Sequence, residues 1–249
     1  MTNSTTQFCF ESEAARLRGL YGHLSGAALL EALVANELGG KIMLSSSFGA
    51  ESAVLLDMVA EVEPTIPVIF LDTRRLFGET LRYQKILTDH LGLEDVRIIS
   101  PDNGVLLRLD PDDMLFNEDP DKCCHIRKVE PLDKVMNKMG NLGYIAWITG
   151  RKNFQSATRS GLSAIEADTD FIKINPLADW TSSDIKQAFL AKNLPPHPLV
   201  ADGFKSIGCM PCTSRVAEGA DPRSGRWAGK AKTECGIHLT RRSGLNATI

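Results

Sequence analysis

Five cysteines carry the chemical promise of this chain. Cys209 and Cys212 form a Cys-x-x-Cys within Ser206-Ile-Gly-Cys-Met-Pro-Cys-Thr213, Cys235 lies in Lys232-Thr-Glu-Cys-Gly-Ile-His238, and Cys123 and Cys124 stand side by side far upstream. A Cys-x-x-Cys lets two sulfurs reach one metal centre from a single tight turn, here stiffened by Pro211. The adjacent pair can supply two more ligands, and neighbouring helical residues point about 100° apart, so sharing one centre is a demanding geometry that gives the pair its specificity. Cys235 is left over as a thiol beside groups able to activate it. The pattern suggests one metal centre and one nucleophile. Inert buried thiols would account for Cys9, but poorly for Cys-Cys together with Cys-x-x-Cys.

The rest of the chain must bring these thiols together. At 249 residues, 43% hydrophobic, 24% charged and with a net charge of −3, it has the composition of an ordinary globular protein with a sizeable core. Nothing in that balance points to nucleic acid or a membrane. The longest apolar stretches, Ala53 to Ala60 and Pro67 to Leu71, are far too short to span a bilayer, so a cytoplasmic location is expected. In a reducing compartment, cysteines serve more often as metal ligands or catalysts than as disulfides.

Strands and helices alternate through the middle of the sequence. Residues 1–12 read as a polar, mobile start, and Leu29 to Leu38 as a helix capped by Ser25 and ended by Gly39-Gly40. Lys41 to Leu44 predicts a buried strand running into Ser45-Ser-Ser-Phe-Gly49-Ala-Glu-Ser52 and the helical run Ala53 to Val62. A strand, a small-residue loop and a helix start make an anion site, because free N–H groups and the positive end of the helix converge there. A polar turn with a serine cap is an equally good reading of that segment alone, and the loop lacks the Gly-Lys-Ser/Thr of a Walker A sequence. Further strands are predicted at Pro67 to Leu71, Val96 to Ile99, Tyr144 to Thr149 and Phe171 to Ile174, with helices at Gly78 to Leu91 and Ile185 to Lys192, the latter behind a Thr181 to Asp184 capping box. The alternation predicts a doubly wound, mostly parallel α/β sheet. Pro101 to Asp121 reads as an irregular surface excursion. Asp121 to Glu130 reads as a helix start followed by a second segment from Pro131. Lys128 is placed to offset nearby negative charge, and Arg127 is read as a solvated side chain. Cations and amides after Gly150, at the strand's carboxyl edge, suit an anionic substrate. The basic, glycine-containing residues 213–242 hold few apolar side chains and are expected to form a flexible arm. This gives an N-terminal extension over 1–24, an α/β domain over 25–212 and a C-terminal arm over 213–249.

Taken together, Ser45 to Ser52, Leu71-Asp-Thr73, Cys123-Cys124, Gly150 through Arg159, Asp179-Trp180-Thr181, Ser206 to Thr213 and Lys232 to His238 resemble the assimilatory adenylyl-sulfate (APS) and phosphoadenylyl-sulfate (PAPS) reductases, in family order over roughly residues 25 to 240. The first loop is similar to the modified P-loop of the adenine nucleotide alpha hydrolase-like superfamily. The resemblance implies thioredoxin- or glutaredoxin-dependent reduction of a sulfonucleotide to sulfite and a nucleotide, within sulfate assimilation and cysteine biosynthesis. It assigns the nucleophile to Cys235 and one 4Fe-4S cluster per chain to Cys123, Cys124, Cys209 and Cys212, and with that cluster APS as the substrate. It assigns substrate contacts to Ser45, Ser46, Ser47, Phe48, Gly49, Leu71, Thr73, Lys128, Gly150, Lys152 and Arg159. Lys232 and His238 could favour the Cys235 thiolate, with Glu234 acting against them. Two departures stand out: Arg74 where the family commonly has glycine, and Lys152-Asn153 where two arginines are usual. A homo-oligomer remains open. The rival readings are a PAPS reductase, a four-cysteine metal protein that binds nucleotides without reducing them, and an ATP-using member of the same superfamily.

Overall fold

The computed structural model describes residues 8–155, 161–230, 232, 234 and 236–238. At its centre is a six-stranded sheet of β1 (Ile42–Ser46), β2 (Val68–Leu71), β3 (Val96–Ile99), β4 (Ala146–Ile148), β5 (Ile165–Ala167) and β6 (Ile172–Ile174), in the order β3-β2-β1-β4-β6-β5. All neighbours run parallel except β5, which pairs antiparallel with β6. The expected mostly parallel, doubly wound sheet is therefore present. The strands are near-continuous apolar runs because helices cover both faces.

Alternate strand residues divide the core in two. Ile42 and Leu44 of β1, Val68 and Phe70 of β2, and Ala146 and Ile148 of β4 face a large cluster. That cluster is filled by α1 (Phe10–Tyr21), α2 (Gly26–Leu33), α3 (Ser52–Val62), α4 (Gly78–Leu91) and α9 (Ser182–Ala191). Met43, Ile69 and Trp147 face the opposite way, onto Leu132, Met136 and Met139 of α8 (Glu130–Asn141). The Gly78 to Leu91 helix and the Val96 to Ile99 strand have the expected bounds, and the Thr181–Asp184 capping box is formed.

Four segments differ from the sequence expectations. Helix α1 begins at Phe10, within the stretch read as an extension; it buries Ala14 and Leu17 and packs along β5. The excursion after Pro101 folds into α5 (Asn103–Leu109) and α6 (Leu115–Glu118), because Asp102 caps the first and Asp110 accepts the Leu115 N–H at 2.9 Å. Cys123 and Cys124 end α7 (Pro120–Cys124), a wider π-helical turn spans His125–Val129, and α8 follows with Pro131 in its first turn, where the missing N–H does no harm. Residues 213–230 are anchored after all: Thr213 bridges Arg226, and Trp227 is 3% exposed beneath the Arg226 guanidinium. One large aromatic side chain supplies the burial that a count of apolar residues missed.

Candidate active site

A cleft of about 290 Å³ opens at the carboxyl ends of β1, β2 and β4. Chain order reverses between β1 and β4, and open α/β sheets bind ligands at such a switch point. The β1 side is the loop into α3. Phe48 occupies the left-handed region at φ +47°, its ring fully buried and edge-on to Phe70. A bulky residue tolerates that strain only when packing fixes it, so Phe48 anchors the loop from below and its side chain is not on the cleft wall. Gly49 sits in a tight place, since a Cβ there would stand 3.3 Å from the Ile207 carbonyl oxygen. Ser45, Ser46, Ser47 and Gly49 line the cleft. Ser46 Oγ accepts the Phe48 N–H, Ser52 Oγ accepts the Gly49 N–H, and Ser45 Oγ accepts the indole N–H of Trp147 at 2.8 Å.

Opposite lies the strand end at Gly150. Lys152 reaches the cleft wall with only 3% of its surface exposed, and its ammonium donates to Glu51 Oε2 at 2.9 Å and to the Gly150 carbonyl oxygen. Gln155 donates to the same carboxylate oxygen. Arg151 is tied to Glu166 at 2.5 Å. Among the described residues, six cationic side chains and three carboxylates line the cleft, and this surplus favours an anionic ligand. Glu51, Lys205, Arg223 and Arg226 belong to the wall although the sequence reading did not select them. The signal for Glu51 was its place in the Ser45 to Ser52 loop, and for the two arginines the basic stretch after Cys212. Arg159 and Cys235 lie outside the described residues.

Cys209 lines the cleft, and Cys123 and Cys212 lie near it, where three segments meet. Leu76 and Cys209 form an antiparallel bridge, and the Met210 N–H donates to the Arg75 carbonyl oxygen. Thr73, expected on the substrate, instead places its hydroxyl 3.2 Å from Cys209 Sγ; Leu71 does line the cleft. Cys123, Cys124 and Cys209 are buried, and Cys212 is half-buried. Burial, together with the nearby Cys209 and Cys212, pushes the Cys123 thiol up to about 11, against the pull of Arg127. Burial also raises Cys212, and Lys128, Lys230 and Arg226 act in the opposite direction. Lys128 lines the cleft and is near enough to Cys212 for its charge to act on that thiol. Among the described residues, no group of three His, Cys, Asp or Glu side chains is arranged as ligands of a single metal ion. The Trp227 indole nitrogen and Arg226 Nε are buried without an acceptor among the described residues.

Arg127 is not the solvated side chain expected. It is 3% exposed and donates to Asp110 at 2.6 Å, Asp113 at 2.8 Å and the Thr73 carbonyl oxygen at 3.2 Å. Burial works to raise the Asp110 carboxyl, but the Arg127 hydrogen bond, the Leu115 N–H and the charges of Arg127 and Arg75 hold it below the usual carboxylate range.

The end of the described chain returns to the cleft. Lys232 pairs with Asp121 and lies over the Trp227 ring, and Arg223 pairs with Glu234 at 3.3 Å. Gly236–His238 forms a short 3-10 turn against His125–Val129, with Ile237 packed on the Met43, Ile69 and Trp147 cluster. Glu234 and Ile237 both line the cleft, so the backbone on either side of position 235 arrives at the same place as the Ser45 to Gly49 loop.

Comparison with known proteins agrees with this architecture. The phosphoadenosine phosphosulfate reductase domain matches residues 41–215. A Mesorhizobium japonicum protein named adenosine 5'-phosphosulfate reductase is 48% identical over 238 residues, covering 96% of this chain and 91% of that protein. A Mycobacterium tuberculosis protein of the same name is 42% identical over 196 residues, covering 76% and 73%. Among solved structures, the phosphoadenylyl-sulfate reductase of Candida auris superposes with a TM-score of 0.68 at 24% identity, covering 87% of this chain and all of that one. The FMN adenylyltransferase of Candida glabrata reaches 0.54 at 18% identity, over 92% and 82%, and shares the fold alone. With the domain spanning the sheet and most of the cleft, this chain belongs to the phosphoadenosine phosphosulfate reductase family.

Proposed function

We propose that the protein reduces adenosine 5'-phosphosulfate to sulfite and AMP, with Cys235 as nucleophile and a dithiol protein of the thioredoxin or glutaredoxin type as reductant. The observation that carries this reading is the convergence on one cationic cleft of the Ser45 to Gly49 loop, Lys128, and Glu234 and Ile237, which stand one residue before and two residues after position 235. The naming of relatives 42% and 48% identical supports the same substrate.

The loop's hydroxyls and the start of α3 would receive the phosphate. The Cys235 thiolate would attack the sulfate sulfur in line with the bridging oxygen, forming an S–S bond as the S–O bond to AMP breaks and the electron pair leaves on the phosphate oxygen. A thiolate of the reductant would then attack Cys235 Sγ, releasing sulfite and leaving a mixed disulfide that the reductant's second thiol resolves. The chain's own cysteines fit this division of labour, because Cys123, Cys209 and Cys212 stand close enough to influence one another's charge and Cys9 lies on the surface at the start of α1.

Cys123, Cys209 and Cys212, with Cys124 next to Cys123 in the chain, match the donor set of a 4Fe-4S cluster, and the unpartnered Trp227 indole N–H, adjoining Cys212, suits a site that holds further acceptors. When bound, such a cluster would supply structural bracing and a local field. Lys128, on the cleft wall and near Cys212, would carry that field's influence to the substrate. The domain division into 25–212 and 213–249 reads best as a sheet domain and a segment that delivers the nucleophile.

The test is sulfite release by anaerobically purified protein with reduced thioredoxin, APS and PAPS being offered in parallel, beside Cys235→Ser. Sulfite from APS, abolished in the variant while AMP still binds, is expected. A strong preference for PAPS would overturn the substrate, and full activity in Cys235→Ser would overturn the nucleophile.

A further inference from the structure

Trp147 occupies the middle of β4, opposite Met43 of β1 and Lys173 of β6, and is 2% exposed. Its indole nitrogen donates to Ser45 Oγ at 2.8 Å. An indole N–H can only donate, whereas a serine hydroxyl has one proton and two lone pairs. Ser45 Oγ is thereby fixed as the acceptor in that bond, and its proton remains to be given away. Among the described residues, Ser45 makes no donation of its own, and it lines the cleft. On the far side of the ring, the Lys173 ammonium stands 5.1 Å from the indole centroid, held by Asp168 at 2.8 Å with both side chains buried. A cation over the ring face draws electron density from it and makes the N–H a stronger donor.

We infer that Trp147 is a positioning residue that sets the Ser45 hydroxyl as a hydrogen-bond donor toward the phosphate of the bound nucleotide. The inference rests on the adenylyl-sulfate reading above and adds a residue with no contact to the ligand. Without the indole N–H, the hydroxyl could rotate its proton toward other acceptors, and a lone pair would face the anion for part of the time. Binding would suffer, and the bond-breaking step would not.

Trp147→Phe keeps a buried ring beneath Lys173 and removes the N–H. Calorimetric binding of AMP and steady-state kinetics with APS and reduced thioredoxin are compared for wild type, Trp147→Phe, Ser45→Ala and the double variant. The expected result is a three- to tenfold weaker AMP affinity and a similar rise in KM for Trp147→Phe, roughly the net contribution of one hydrogen bond, with kcat little changed. The double variant should bind no more weakly than Ser45→Ala. Unchanged AMP affinity in Trp147→Phe, or simple additivity of the two losses, would overturn the inference. Should Trp147→Phe fold poorly, the indole N–H resonance of Trp147 in 15N-labelled protein gives an independent reading: it should shift in Ser45→Ala, and an unmoved resonance overturns the inference. Wild-type protein that binds neither AMP nor APS would instead sink the adenylyl-sulfate reading, and this one with it.

Discussion

Replacing Arg127 by methionine should cost a large part of the protein's stability. The guanidinium and the Asp110 carboxylate are 4% and 3% exposed and meet at 2.6 Å, and a second carboxylate, Asp113, stands at 2.8 Å. With about 4 Å between charge centres and an effective dielectric near 20, the Asp110 pair alone attracts by ~4 kcal/mol. Removing one partner of such a pair leaves a buried charge behind, which typically costs about 3–5 kcal/mol. Against a typical domain stability of roughly 5–15 kcal/mol, that is a substantial share, from about a fifth of the total upward. Urea unfolding of anaerobic protein, followed by far-UV circular dichroism, should show the midpoint falling with little change in slope. Adding Asp110→Asn to Arg127→Met removes the stranded charge and should restore about half of the loss. The acid limb has a definite sign: the Asp110 carboxyl is held low in the folded state, so its contribution is present above the unfolded value near about 4 and fades as pH falls through the folded value. A loss below about 1 kcal/mol in Arg127→Met, or a double variant as unstable as the single one, would refute this account of the network.

Two further outcomes follow from the geometry. His197 is 1% exposed, bonded to Thr80 and tilted against Tyr83, and burial lowers its pKa to about 4. Unfolding therefore takes up a proton between pH 6.5 and 4, and wild type should lose up to ~3 kcal/mol across that window while His197→Asn shows a flatter profile; parallel profiles would contradict it. Arg74 is exposed at φ +60°, a conformation glycine adopts without strain, so Arg74→Gly should raise the urea midpoint by the equivalent of up to about 1 kcal/mol, and a lowered midpoint would show that the arginine side chain contributes more than its backbone strain costs.

The segments legible in the sequence were those whose signals are local. Gly78 to Leu91 carries its own helical periodicity and ends at Gly92 in the left-handed conformation, and the Thr181 to Asp184 cap lies within four residues. The Ser45 to Gly49 loop was legible for the same reason, as a strand end running into a helix start. Arg127 was not, because its partners Asp110 and Asp113 lie 17 and 14 residues away in a Pro- and Asp-rich stretch that looks like loop until a buried guanidinium organises it. The direction of the Phe48 ring was not legible, because a loop motif does not show which way its largest side chain turns. Strand β5, three residues long, is defined by its pairing with β6 more than by its own composition. Lys152 illustrates the limit at the site: sequence brings it to the cleft, and only the fold shows Glu51 holding its charge.

The two borders of the sheet are guarded differently, and this bears on how the protein keeps to itself in a crowded solution. A strand at the border presents unpaired backbone groups that another chain can extend into a shared sheet. On the β5 side, α1 lies along the strand and Arg18 donates to the outward Ile165 carbonyl oxygen. Along β3, the protection is a charged pair, Arg97 with Asp95 at 2.6 Å, set beside the exposed Ile98. Shortening the chain at its beginning would therefore do more than trim a tail, since it would uncover one border and invite molecule-to-molecule strand addition.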